Sequence, residues 1–176
     1  MADAAAPQGL APSLVAAADA LAAAFGDRIV ERTEFRGELT LSVAPEAWLE
    51  ALTFCRDDAT AAFDQLDSLL GDHLPERASA PFAVVAHLLS HTYGHRLRVK
   101  AALAEGQAVP SVTGLWPSAS FDEREAWEMY GIGFTGHPNL IRLLTTEDFE
   151  GFPMRKDFPL EGTVGGRVRT DLRGKI

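Results

Sequence analysis

The chain has 176 residues, 47% hydrophobic and 23% charged, which suits a single compact core. A formal net charge of −9 excludes a general nucleic-acid binder, because such proteins neutralise phosphates with clustered Lys and Arg, and it argues against direct docking on an anionic membrane. Cys55 is the only cysteine, which rules out an internal disulfide or a cluster held by four thiolates of this chain and fits a reducing cytoplasm.

Residues 1–12 are rich in Ala and Pro and are expected to be disordered; they lack the basic segment of a signal peptide, and the apolar stretch after them is broken by Asp19. No stretch has the length needed to span a bilayer. Leu14, Val15, Ala18, Leu21, Ala22 and Phe25 recur at helical spacing, with Pro12 and Ser13 to open the helix and Gly26 to close it. Arg28 to Phe35 and Glu38 to Val43 form a hairpin around Arg36-Gly37. Pro45 suits the first position of a helix that runs to about Arg56 and buries Trp48, Leu49 and Leu52. Phe63 to Leu70 is read as a strand and Leu74 to Pro81 as a loop.

Phe82 to Ser90 and His95 to Leu103 give the clearest strand pair, with Tyr93-Gly94 as the turn. Leu97, Val99 and Ala101 share one face, and Arg96, Arg98 and Lys100 the other, so one face is core and the other basic. The fold class is α+β, a mixed or antiparallel sheet with packed helices and an extended C-terminal arm. The expected organisation is a domain over 13–130, a docking arm over 131–160 and a tail over 161–176. Within it, residues 165–176 carry Arg167, Arg169, Arg173 and Lys175 against Asp171, a local +3 that leaves −12 for the rest.

Ser120-Phe-Asp-Glu123 has the form of a capping box, Asp122, Glu123 and Glu125 suit the positive end of a helix dipole, and Arg124 and Glu128 are spaced as an i,i+4 pair. Gly131 is placed to end the helix. The run from Gly131 to Pro138 is too Gly-rich for a helix and too aromatic for a free linker, so it is expected to lie against something. Pro153 and Pro159 punctuate an irregular segment whose Phe149, Phe152, Phe158 and Leu160 would each gain roughly 1.5–3 kcal/mol on full burial. Such an arm is expected to dock on another protein.

Glu123-Arg-Glu-Ala-Trp-Glu-Met-Tyr-Gly-Ile-Gly-Phe-Thr-Gly-His-Pro138 resembles the signature of the 30-kilodalton-type subunit of NADH:quinone oxidoreductase, the respiratory complex I of bacteria. Glu147 to Gly151 and Pro153 to Leu160 are similar to the same family's arm, and His87 to Ser90, Arg96 to Lys100 and Pro110 to Pro117 extend the likeness over roughly residues 28–160. The resemblance implies a cofactor-free structural subunit of the peripheral arm, supporting assembly of the quinone-reducing module in proton-pumping electron transfer. It implies NADH, FMN, iron–sulfur clusters and quinone in partner subunits, chiefly the large quinone-module subunit and the cluster-bearing subunit beside it. The complex would lie on the cytoplasmic face of the inner membrane, with this chain held there by its partners and not inserted. The signature and interface residues carried over are Glu123, Arg124, Glu125, Glu128, Tyr130, Gly131, Phe134, His137, Pro138, Arg142, Phe149, Phe152, Arg155, Lys156, Asp157 and Phe158. Ile141 stands where the family usually has a basic residue, so a charge contact there would fall to Arg142. The short basic tail also differs from the family's longer acidic and aromatic extension. It keeps open the same scaffold role in a ferredoxin- or coenzyme-dependent relative or a membrane-bound hydrogenase.

Other chemistries are weaker. His87, His91 and His95 are spaced by four, but strand geometry sets residues four apart about 13 Å from one another, which does not favour a zinc site. A small hydrolase using His137 and Glu128 is the competing enzyme reading. A turn histidine bonded to a nearby carboxylate or carbonyl explains His137 more simply. No catalytic, cofactor-binding or metal-ligating residue is assigned. The chain shows no dinucleotide fingerprint, and the Gly162 to Gly166 run has too little chain after it for the helix that a phosphate loop opens.

Overall fold

The computed structural model describes residues 9–159, together with the backbone of 163–164 and 167–168. The N-terminal residues 1–8 and most of the basic tail, including the three glycines of the phosphate-loop echo, lie outside the described residues. Helix α1, Pro12–Phe25, has Pro at its first turn and is closed by Gly26, whose N–H bonds the Ala22 carbonyl. Leu14, Ala17, Ala18, Leu21 and Phe25 form its buried stripe, whereas Ala22 is exposed. The Ser13 hydroxyl lies 3.0 Å from His95 Nδ1 and ties the start of this helix to the sheet.

β1 (Ile29–Phe35) and β2 (Glu38–Val43) form the expected hairpin. Its turn has φ of +53° at Arg36 and +79° at Gly37, the two left-handed residues of the turn that best matches strand twist. A single helical turn at Pro45–Ala47 leads into α2, Trp48–Asp57, with Trp48, Ala51, Leu52 and Cys55 in the core. Next come β3 (Gln65–His73), β4 (Phe82–Ser90) and β5 (His95–Leu103). The sheet order is β1-β2-β5-β4-β3, with every pairing antiparallel except β2 with β5. That parallel pairing requires a crossover, which α2, β3 and β4 provide, so the sheet is mixed and the fold is α+β.

The inward alternation Leu97, Val99, Ala101 of β5 is as expected, and Leu39, Leu41 and Val43 continue it on β2. The opposite face is not simply basic. Arg96 lies 3.3 Å from Asp67, Arg98 2.8 Å from Glu38 and Lys100 3.4 Å from Asp72, so an acid of the adjacent β2 and two acids of β3, reaching across β4, neutralise the row.

Past the sheet, β6 (Ala108–Pro110) precedes helix α3, Ala119–Tyr130, which packs beside β3. β7 (Gly133–Thr135) then pairs in parallel with β6. Ile132 and Phe134 are buried in the chain's own core, which is what the segment 131–138 lies against. A short pair, β8 (Thr163–Val164) and β9 (Arg167–Val168), follows the arm. Among the described residues no helix is long and apolar enough to cross a membrane.

Candidate functional site

Helix α3 begins without the predicted capping box. The amides of Ala119, Ser120 and Phe121 bond the carbonyls of Trp116, Pro117 and Ser118 at 3.1, 3.2 and 3.3 Å. The turn before the helix thus satisfies the donors that a cap would have taken, and no side-chain cap bond forms. Ser120 lies inside the helix, and the Glu123 carboxylate turns into the protein instead of back toward it.

There Glu123 is fully buried, and its Oε1 accepts the Val112 N–H at 2.6 Å. Its Oε2 has no hydrogen-bond partner and lies 4.0 Å from Nε2 of His137. Burial raises the Glu123 carboxyl above its usual range. His137 accepts the Asn139 N–H at Nδ1 (3.0 Å), so in the neutral ring Nε2 carries the proton and donates to the Ser120 carbonyl at 3.1 Å. The carbonyl partner is as expected of a turn histidine. With both nitrogens engaged and the side chain inaccessible, His137 is not placed to act as a general base.

The predicted pair of Arg124 with Glu128 does not form. Both side chains reach past the helix to the loop that follows β7. Arg124 donates from Nε to the Ile141 carbonyl and from a terminal nitrogen to the Arg142 carbonyl, each at 2.9 Å. Glu128, 1% exposed, accepts the amides of Leu143 (2.7 Å), Leu144 (3.0 Å) and Thr145 (2.5 Å) and the Thr145 hydroxyl. A carboxylate can accept several donors at once, and the loop amides offer Glu128 more than a guanidinium one turn away that is itself bonded to two carbonyls. Burial alone would raise the Glu128 carboxyl, but these four donors outweigh it and bring it down to about 2. Arg142 bends inward to the Thr145 hydroxyl (3.0 Å) and the Phe149 carbonyl (2.8 Å).

Asp122 accepts the Leu69 N–H of β3 at 2.8 Å. Asp122, Glu123, Arg124 and Glu128 therefore each hold main-chain groups of another segment. Glu125 and Pro138 are exposed.

The C-terminal end of α3 anchors the arm. Gly131 closes the helix with φ +78°, and a Cβ there would lie 2.6 Å from an Arg155 nitrogen and 2.7 Å from the Phe152 ring. Arg155 donates to the Tyr130 carbonyl at 2.7 Å, pairs with Glu105 at 2.8 Å and lies 4.6 and 4.3 Å from the ring centres of Phe82 and Phe152. The Met154 N–H bonds the Met129 carbonyl, and the Lys156 N–H bonds Nδ1 of buried His73 at 3.0 Å. Asp157 lies 4.0 Å from the same nitrogen, and Phe149 stacks with Phe158 at 6.0 Å. Among the described residues this arm folds back on its own domain, with Phe149, Phe152 and Phe158 half-buried.

Of the residues singled out from the sequence, the structure joins Glu123 with His137, Arg124 with Glu128 and Arg142 around the loop, and Tyr130, Gly131, Phe152 and Arg155 at the helix end. It disperses the three histidines: His87 is on β4 opposite Arg98, His91 is in the turn against Asp64 at 3.1 Å, and His95 is in the core. No group of three His, Cys, Asp or Glu able to hold a metal is present among the described residues. Asp122, His73 and Glu105 went unrecognised as anchors, because partners 53, 83 and 50 residues away leave no local pattern.

The family model for the respiratory-chain NADH dehydrogenase 30 kDa subunit matches residues 41–164. A Sinorhizobium medicae protein, named as the C subunit of NADH-quinone oxidoreductase, is 48% identical over 148 residues, covering 84% of this chain and 72% of its own length. An Azorhizobium caulinodans protein of the same name is 49% identical over 137 residues, covering 78% of this chain and 64% of its own. A solved trypsin-resistant fragment of Nqo5 superposes with a TM-score of 0.61 at 28% identity, over 73% of this chain and 99% of the fragment.

Proposed function

This chain belongs to the family of the respiratory-chain NADH dehydrogenase 30 kDa subunit, and on that premise we propose that it is a cofactor-free structural subunit of a complex I-type NADH:quinone oxidoreductase. It braces the peripheral arm beside the quinone-reducing module, against the large subunit of that module and the cluster-bearing subunit next to it. NADH, FMN, iron–sulfur clusters and quinone belong to those neighbours and others of the assembly. The complex works at the cytoplasmic face of the inner membrane, and partner subunits hold this chain there.

The observation that carries this reading is how the signature charges are used. Arg124 and Glu128 grip five backbone groups and a hydroxyl of the loop 141–145, and Glu123 and Asp122 grip two more amides. Charges spent on main-chain groups in this way set the shape of the chain's surface and are poorly placed to exchange protons with a substrate. The same geometry counts against the hydrolase reading, since His137 faces Glu123 and not Glu128, and both ring nitrogens are bonded. The named relatives are NADH-quinone oxidoreductase subunits, so the ferredoxin- and hydrogenase-type alternatives are not favoured.

Membranes from cells lacking this chain are expected to lose NADH-driven quinone reduction and to regain it when the chain is restored. Unchanged quinone reduction in its absence would overturn the proposal. So would turnover by the isolated chain that His137→Ala abolishes.

A further inference from the structure

The two buried glutamates of α3 are held in opposite ways. Glu128 has four donors on its carboxylate, whereas Glu123 has one amide, that of Val112, on Oε1 and no hydrogen-bond partner on Oε2. A charge on Glu123 would therefore be buried with little compensation, which is costly. Burial is the largest influence on its carboxyl and raises it above 4.5, and Asp122 on the same helix pushes the same way. The Ser111 hydroxyl, the Val112 amide and His137 pull it down by less. The segment 108–118, which supplies Ser111 and Val112, carries no titratable side chain of its own, and Arg56 of α2 meets it only at the Gly114 and Leu115 carbonyls while pairing with Asp57.

His137 holds an N–H close to the unpaired oxygen. Its Nε2 donates to the Ser120 carbonyl at 3.1 Å and lies 4.0 Å from Glu123 Oε2, so a movement of about 1 Å brings the same N–H into bonding distance of the carboxyl. The ring does not move alone, because Nδ1 holds the Asn139 N–H at 3.0 Å. Gly136, Pro138 and Asn139 are exposed, so the turn can follow the ring without opening the core. We propose that Glu123 and His137 form a proton-controlled switch: with Glu123 neutral, the His137 Nε2–H bonds Ser120, and with Glu123 ionised it turns to Oε2 and carries the turn 136–139 with it. The proton that Glu123 loses goes to solvent, and His137 stays neutral because the Asn139 amide occupies Nδ1. The raised carboxyl sets the sign: the Ser120-bonded state prevails on the acid side and the Glu123-bonded state on the alkaline side. Gly136 and Pro138 line a surface cleft of about 630 Å³ together with Ser111, Ser120 and Thr135, so the switch changes the shape of that cleft. None of this depends on which assembly the chain serves.

The test is an NMR titration of the full-length chain from about pH 4 to about pH 9, following the Glu123 carboxyl carbon, the His137 ring nitrogens and the main-chain amides. The Glu123 carboxyl should titrate with a midpoint above 4.5, and the Val112, Gly136 and Asn139 amides and the His137 Nε2–H should shift with that same midpoint. Nδ1 should stay unprotonated through it. Glu123→Gln, which keeps an oxygen for the Val112 amide, should abolish these shifts and hold the turn at its low-pH positions to the top of the range. Turn amides that stay still while Glu123 titrates, or shifts that survive in Glu123→Gln, would overturn the inference. So would protonation of Nδ1 at the shared midpoint, since His137 would then be the titrating group. Should Glu123→Gln fail to fold, the wild-type titration decides alone, because separate midpoints for the carboxyl and the turn amides overturn the switch and a common one supports it.

Discussion

Glu128 is the residue on which the site's electrostatics turn. Its carboxyl sits at about 2 in the folded chain against an ordinary 4.5, so the stability it lends is present above about 4.5 and is lost as pH falls toward 2. The full span corresponds to roughly 3 kcal/mol. Buried Glu123 works in the opposite sense: its raised carboxyl favours the fold at low pH and loses that contribution as pH rises. Glu128→Gln should therefore be less stable than wild type at neutral pH and lose less on acidification between 4.5 and 2.5, as urea titrations across that range would show. Parallel curves for the two proteins would contradict this. Arg124→Ala breaks two charge-assisted bonds to carbonyls and should lower the stability of the isolated chain by about 1–3 kcal/mol. An exposed i,i+4 pair would be worth only about 0.2–0.5 kcal/mol, so a loss in that range would mean that the loop does not depend on Arg124.

At the level of elements, α3 is a hub whose two ends hold different segments. Its C-terminal end fixes the arm through Gly131 and Arg155, and Gly131→Ala would combine an unfavourable left-handed alanine, about 1–2 kcal/mol, with a collision against Phe152 and Arg155. The arm should yield before the sheet, so limited proteolysis of Gly131→Ala or Arg155→Ala should cut within 149–159 while the sheet domain keeps its denaturation midpoint. Unchanged protease resistance would show that the arm is held elsewhere. Most of these elements were legible in the sequence. The Arg36-Gly37 turn, the alternation of β5 and the Gly131 stop are local patterns set by backbone sterics and side-chain period. What could not be read was where α3's charges go. Spacing alone favours Arg124 with Glu128 and Ser120 with Glu123, but the loop and the turn before the helix offer better partners through tertiary contact. The parallel seam of β2 with β5 was equally hidden, because a crossover leaves no mark on either strand.

For the whole molecule, the acidic balance, the neutralised outer face of the sheet and the loop held by Arg124 and Glu128 fit a body shaped by what it must present to neighbours. The family was legible from Glu123 to Pro138, a run in which Glu123, Arg124, Glu128, Gly131 and His137 each make contacts that depend on their residue type. The exposed side chains Ile141, Leu143 and Leu144 carry no comparable local signal, since spacing alone does not separate an exposed apolar residue from a buried one. Mass spectrometry of the assembly captured from host membranes through a tag on this chain tests the subunit assignment most directly. A flavin-bearing, NADH-oxidising subunit, the large quinone-module subunit and a cluster-bearing subunit should co-purify with it in fixed proportion. Recovery of the chain alone, or with a hydrogenase-type set lacking the flavin subunit, would contradict that assignment.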